Sequence, residues 1–319
     1  MPQRPTLAIV IPVYRGGAEF SSLLRELNVL DSGIFDLTEI VCVNDCGPRS
    51  AVLEMIAGAE LDNRVQNVWL ARNSGQHAAS VAGFSASTAD WVATIDEDGM
   101  HDPIALNDML LRAESSGAAV VYGHPSNAVP HPAWRNATSK IAKRIATILF
   151  GVSGADQFSS FRLVRGDVAR GLAAYTTYGQ YLDVALTWYS NSSTSVKVPY
   201  RRSVAGHASG YSFGRLARHF QSLALTSGTR PIRVIGIMGL FTALGAMMSA
   251  MILLYLNLTG RINVAGWTSL AVITLFLGGL TLLSISMVAE YVGYAVRLLL
   301  GRPPYLSVPE APGSRAPAD

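Results

Sequence analysis

Trp91-Val92-Ala93-Thr94-Ile95-Asp96-Glu97-Asp98 is an apolar, β-rich run that ends abruptly in carboxylates. A buried strand that delivers Asp96 and Asp98 at its carboxyl end carries an electrostatic cost. That cost is offset if a divalent cation links the pair to a substrate phosphate. Mg²⁺ and Mn²⁺ favour hard oxygen ligands, and Mg²⁺ is usually held by one or two carboxylates plus phosphate oxygens. In open α/β sheets the ligand crevice lies outside the carboxyl ends of the strands. Asp-x-Asp alone is a common loop pattern, so its surroundings decide its weight.

Upstream, short apolar runs alternate with helical periodicity. Leu7–Ile11 reads as a strand that ends at Pro12, and Phe20, Leu23, Leu24 and Leu27 recur at helical spacing. Ile40–Val43 and Val65–Leu70 are further strands, separated by a helix that includes Val52–Ile56. Gln76–Ser87 is helical, Trp91–Ile95 is the fourth strand, Ile104–Glu114 a helix and Ala118–Tyr122 a fifth strand. Strand–helix alternation with continuously apolar strands predicts a mostly parallel sheet covered on both faces. Loops near Tyr14, Asp45, Asn73 and Asp98 then follow strands and converge on one sheet edge. No Walker A or G-x-G-x-x-G pattern is present, which removes P-loop kinases and Rossmann dehydrogenases. Gly210-Tyr211-Ser212-Phe213-Gly214 matches a nucleophile elbow, but only His219 follows, with no acid between. A hydrolase triad has no support.

The last third reads as membrane. Val234–Leu256 and Val264–Ala289 are uncharged over 23 and 26 residues, each more than the roughly 20 needed to cross a bilayer core. Their link, Asn257–Asn263, predicts an antiparallel hairpin. Arg215, Arg218, Arg230 and Arg233 precede the pair, Arg297 and Arg302 follow it, and the link holds only Arg261. The bias predicts a multi-pass membrane protein with both termini cytoplasmic, the inner (plasma) membrane being the expected one. Met1–Thr6 has no long apolar stretch, so no secretory signal is expected. Two basic amphipathic stretches suit a bilayer surface: Trp134, Ile141, Ile145, Ile148 and Leu149 on one face, and Phe213, Leu216, Phe220 and Leu223 on another. The expected division is a catalytic domain over 1–211, a juxtamembrane helix over 212–231, a two-helix hairpin over 232–292 and a tail over 293–319.

Half the residues are hydrophobic and the mean hydropathy is +0.28. A net charge of +3 is too small to suggest nucleic acid. Cys42 and Cys46 form no disulfide framework and are expected to stay reduced.

In this order the chain resembles the inverting glycosyltransferases of family two, which have the GT-A fold, and within them the polyprenyl-phosphate glycosyltransferases. That group includes dolichol-phosphate mannose synthases, phage-type glucosyltransferases and the formylated aminoarabinose transferases. The matching residues are Val10-Ile11-Pro12-Val13-Tyr14, Val43-Asn44-Asp45, Arg72-Asn73-Ser74-Gly75-Gln76-His77, Asp96-Glu97-Asp98 with His101-Asp102-Pro103, Phe161-Arg162-Leu163, Ser209-Gly210-Tyr211-Ser212, Glu290-Tyr291-Val292-Gly293 and Arg302-Pro303-Pro304-Tyr305. The Asn-x-Gly-Gln-His version is most similar to the aminoarabinose branch.

The resemblance implies transfer of a sugar from a nucleotide diphosphate, UDP being expected, to a polyprenyl phosphate, undecaprenyl phosphate being expected, in cell-envelope biogenesis. It implies that Pro12, Tyr14 and Asp45 line the nucleotide pocket and that Arg72 and Asn73 sit near the diphosphate. Asp96 and Asp98 would face the donor and a Mg²⁺ or Mn²⁺ ion, with Asp98 the more direct ligand. Asp156 holds the position of a proposed base. Arg202, with Arg201 and Arg162, would hold the acceptor phosphate. Relatives of this kind often form homo-tetramers. The chain departs from the pattern at Arg15-Gly16 (usually Asn-Glu), at Asn44, at Gly210 (usually Lys) and at Met100, where relatives place a metal-binding Gln. That last change leaves a coordination place to water, Glu97 or His101. A processive polysaccharide synthase is the alternative within the family, but its Gln-x-x-Arg-Trp is absent. A catalytically inactive membrane anchor is the alternative outside it, and the intact Asp96/Asp98 pair argues against that.

Overall fold

In the computed structural model of the chain, the apolar run after Pro5 forms the central strand, β1 (Thr6–Val13). The structure describes residues 4–47, 49–59, 63–126, 157–177, 180–190, 192–201, a scatter of positions from 239 to 259, 266–299 and 303–308. After β1 come α1 (Ala18–Asn28), β2 (Asp36–Asn44), α2 (Arg49–Ala57), β3 (Val65–Leu70), α3 (Gln76–Ala86) and β4 (Trp91–Thr94). A 3₁₀ turn at Pro103–Ala105 leads into α4 (Leu106–Ser116), then β5 (Val120–Pro125). Beyond residue 156 follow β6 (Arg162–Arg165), α5 (Gly166–Tyr175), α6 (Leu182–Tyr189), β7 (Ser193–Val198), α7 (Trp267–Leu299) and β8 (Ser307–Val308).

The sheet order is β7-β5-β6-β4-β1-β2-β3-β8. Strands β3, β2, β1 and β4 are parallel, as the alternation predicts. The far half is mixed, because β6 runs antiparallel between β4 and β5. The sequence order of the first five strands could not show this, since β6 comes from beyond residue 156 and separates β5 from β4.

Period-two alternation places Leu7, Ile9, Ile11 and Val13 on one face of β1, with Ala8 and Val10 on the other. The first set packs with Phe20, Leu23, Leu24 and Leu27 of α1, an i, i+3, i+4, i+7 stripe, and with Leu106, Met109 and Leu110 of α4. The second packs under α3, α5 and α6. Helix α4 stops at Gly117, whose φ of 66° is a left-handed C-terminal conformation that glycine adopts at little cost. Helix α3 lies so close to β1 that a Cβ on Gly83 would stand 2.2 Å from Val10 Cγ1. The two-sided packing fixes the strand ends. Tyr14, Asp45 and Asp96 leave β1, β2 and β4 at the same edge, where Asp45 N donates to Val13 O (2.7 Å) and Ile95 N to Val10 O (3.0 Å).

The C-terminal segment differs from a simple tail. Strand β8 pairs antiparallel with β3, Trp69 opposite Val308, so residues 307–308 extend the same sheet. Helix α7 runs past the expected end at Ala289 to Leu299. Its window Phe276–Gly293 is long and apolar enough to cross a membrane, the single such window among the described residues, and none of it is buried. The scattered positions from 239 to 259 include helical residues, but most of the first apolar stretch, both amphipathic stretches and Ser212 lie outside the described residues.

Candidate active site

A cleft of about 310 Å³ opens at the shared strand edge, lined by Pro12, Val13, Tyr14, Asp45, Gln76, Asp96, Glu97 and Asp98. The parallel strands bring together residues more than 80 positions apart. Tyr14 is 44% exposed and presents its ring to the cleft wall. Arg15 stands with its guanidinium carbon 5.8 Å from that ring's centroid. Gly47, in the turn after β2, lies against the Tyr14 backbone: a Cβ there would be 1.8 Å from Tyr14 O.

Asp45 is buried, and its two carboxylate oxygens accept from Ser74 N (2.6 Å) and Gly75 N (2.8 Å). It therefore pins the turn that begins α3. Gln76, the first residue of that helix, donates from Nε2 to Asp96 Oδ1. Ser160 Oγ donates to Asp96 Oδ2 at 2.7 Å. Asp96 is thus oriented from both sides, while Asp98 is exposed and accepts from Met100 N (3.0 Å). Arg72 and Asn73 stand in the loop after β3 and are not among the residues that line the cleft.

Beneath the carboxylates is an aromatic floor. His101 is buried, stacks on Phe161 at 4.7 Å between centroids, and meets Tyr200 edge-on at 5.0 Å. Its Nδ1 accepts from Asp96 N (3.2 Å). Burial holds its pKa below the usual histidine range, against the pull of Asp96. Through Nδ1 the ring supports the Asp96 backbone from below. Glu97 is also engaged: its carboxylate accepts from the backbone N–H groups of Tyr14, Arg15 and Gly16. Burial raises its pKa, and those three bonds work against the rise.

Of the three stand-ins expected at the Met100 position, Glu97 and His101 both accept hydrogen bonds from backbone N–H groups. Met100 itself acts through its backbone, its N–H on Asp98 and its carbonyl accepting from Arg201 N (2.9 Å). Among the described residues, no three His, Cys, Asp or Glu side chains converge on a metal position. Two carboxylates at an open cleft fit a hard cation whose remaining places are taken by phosphate oxygens and water.

The two described arginines of the expected acceptor set, Arg162 and Arg201, each have an acidic partner. Arg162 pairs in register with Thr94 at the end of β4, and its side chain is 3% exposed. Its Nη1 lies 3.0 Å from Asp183 Oδ1, off the hydrogen-bond angle, and Asp183 is 2% exposed. The Tyr122 hydroxyl bonds to the same Asp183, and burial, then that carboxylate, push the phenol well above its usual range. The Arg162 guanidinium thus lies buried beside a carboxylate in this structure. Arg201 is paired as well, with Glu26 (2.5 and 2.6 Å) and Asp102 (3.0 Å). It lines a second cleft with Glu19 and Asp98, an acidic setting that disfavours a phosphate dianion. Asp156 and Arg202 lie outside the described residues. Sequence reasoning missed Ser160, Asp183 and the anchoring role of Glu97. Ser160 and Asp183 carry no motif signal, whereas a third acid between two others was visible.

Residues 8–172, just over half of the chain, match the model of glycosyl transferase family 2. The chain belongs to glycosyl transferase family 2. The matched span includes every residue that lines the main cleft. The chain is 29% identical over 302 residues to an undecaprenyl-phosphate 4-deoxy-4-formamido-L-arabinose transferase of Pseudomonas paraeruginosa, covering 93% of this chain and 88% of the relative. It is 25% identical over 303 residues to a protein of the same name from Salmonella choleraesuis, covering 94% and 91%. A solved structure described as a mycobacterial protein aligns with a TM-score of 0.50 at 14% identity, over 71% of this chain and 74% of that one. That likeness speaks to the fold alone. As a family 2 member this protein is a glycosyltransferase on a GT-A-like α/β sheet.

Proposed function

We propose that the protein transfers a sugar, with inversion, from a UDP-sugar to undecaprenyl phosphate at the cytoplasmic face of the inner membrane. The observation that carries this reading is the Asp96/Asp98 pair at the carboxyl end of β4, in one cleft with Tyr14 and Asp45. The names of relatives that cover most of the chain support the acceptor. Pro12, Tyr14 and Asp45 form the nucleoside wall, and Asp45 also keeps the Ser74-Gly75 turn against it. Arg72 and Asn73 follow β3 on the diphosphate side.

Asp96 and Asp98 hold Mg²⁺ or Mn²⁺, which when bound neutralises charge on the leaving diphosphate. A phosphate monoester is mostly dianionic at pH 7. Its oxygen attacks the anomeric carbon as the bond to the diphosphate oxygen breaks, so little general-base work is required. Asp156 then serves position or field rather than proton removal, and Arg202 is the remaining candidate for the acceptor phosphate.

The reading is tested by incubating purified full-length protein with undecaprenyl phosphate and a panel of nucleotide sugars, and weighing the glycolipid. The relatives' name makes a UDP-linked 4-deoxy-4-formamido-L-arabinose the first donor to try. A polyprenyl-phosphate sugar is expected. Sugar release to water alone, or polymer, would refute it.

The membrane reading rests on α7 and on the uncharged stretch before it. Phe276, Leu282, Ile285, Val288 and Val292 are large apolar side chains exposed along one helix, as a bilayer-facing surface requires. Because β8 joins the same sheet as β1, residues 307–308 stand on the same side of the membrane as the catalytic cleft in this reading. Cysteines placed at Asn257 or Asn263 are therefore expected to react with an impermeant thiol reagent from outside the cell, and one at Asp319 only after lysis. The reverse pattern overturns the topology.

A further inference from the structure

Three successive carboxylates leave β4 in three directions. Asp96 is held by Gln76 and Ser160, and Asp98 stands exposed at the cleft. Glu97 also borders the cleft, and its carboxylate reaches into the loop after β1. It accepts from Tyr14 N (3.2 Å), Arg15 N (3.5 Å) and Gly16 N (2.9 Å). Consecutive backbone amides converging on one point form a nest that binds anions. In this protein the anion is its own side chain, 81 to 83 residues away along the chain. The loop needs this hold. Gly16 sits at φ +65°, and Gly17 N has only the thioether of Met55, at 3.2 Å. The same loop carries Tyr14, which walls the cleft.

We propose that Glu97 is a positioning residue for the donor: one side chain sets the distance between the nucleoside wall at Tyr14 and the diphosphate end at Asp96 and Asp98. The inference rests on the nucleotide-sugar reading above. Asp96 and Asp98 act on the cation and diphosphate, whereas the Glu97 carboxylate is taken up by the Tyr14–Gly16 amides and acts through Tyr14. A nest filled by Glu97 also leaves no free amides there for the donor phosphates, which are directed to the Asp96/Asp98 side.

The test is UDP affinity by calorimetry in the presence of Mn²⁺, with donor kinetics, on the full-length protein. Glu97→Ala is expected to raise the UDP Kd and the donor KM by about tenfold, the scale of lost charge-assisted hydrogen bonds, with a smaller fall in kcat. Glu97→Gln keeps one accepting oxygen and should show a smaller rise, with melting behaviour close to wild type. In a Tyr14→Ala background, Glu97→Ala should add little, because the two act as one unit. Mn²⁺ affinity without nucleotide should stay within about twofold. Fully additive effects, unchanged UDP affinity in a folded Glu97→Ala protein, or a large loss of Mn²⁺ affinity would each overturn the inference. A wild-type protein that binds no nucleoside diphosphate overturns the nucleotide-sugar reading itself, and this inference with it.

Discussion

Asp98→Asn is expected to lower turnover by at least about a hundredfold, the scale seen when one transition-state stabiliser is lost, without unfolding the protein. Asp98 is exposed, and its hydrogen bond from Met100 N can be accepted equally well by an Asn oxygen. Melting temperature should therefore move by no more than about 2 °C. What changes is charge: Asp96 is already engaged by Gln76 and Ser160, so Asp98 supplies the more available anionic oxygen. EDTA should abolish the activity of the unmodified enzyme, and Mn²⁺ or Mg²⁺ should restore it. Full turnover in EDTA, or in Asp98→Asn, would remove the cation from the mechanism.

The second large effect is on stability, at the buried Arg162–Asp183 pair. Asp183→Ala strands a guanidinium that is 3% exposed and leaves the Tyr122 hydroxyl without its carboxylate. Breaking a buried pair from one side costs about 3–5 kcal/mol. For a domain of this size that is a fall of about 10 °C or more in melting temperature. The triple replacement Arg162→Met, Tyr122→Phe, Asp183→Leu removes every member and should return stability to within about 2 kcal/mol of wild type. It also decides what Arg162 does. An acceptor KM unchanged within about twofold in the stable triple variant keeps Arg162 a structural ion. A tenfold rise returns it to the acceptor phosphate.

Legibility along the chain followed the range of the forces involved. The strands and helices of the first 125 residues were readable because burial on a sheet imposes period two or an unbroken apolar run, and burial of a helix imposes a stripe. Phe20, Leu23, Leu24 and Leu27 are such a stripe, and all four are buried. Pro12, Tyr14, Asp45, Asp96 and Asp98 were readable because short motifs end strands, and parallel strand ends meet at one edge. Arg72 and Asn73 reach the neighbouring loop but do not line the cleft. The acidic partners of Arg162 and Arg201 were not readable, because a sequence shows charge and not the residue that stands beside it in the fold.

The amino-acid sequence by itself determined the α/β alternation, the carboxylate pair after an apolar strand and a last third too apolar for an ordinary surface. Each is a local property, set by residue type and spacing over a few turns or one strand. Only the tertiary structure decided that β6 runs antiparallel beside β4, that residues 307–308 close the sheet against β3, and that Glu97 holds the loop at Tyr14. These are pairings across tens to hundreds of residues, and their energy lies in backbone hydrogen bonds and buried partners that no single segment carries.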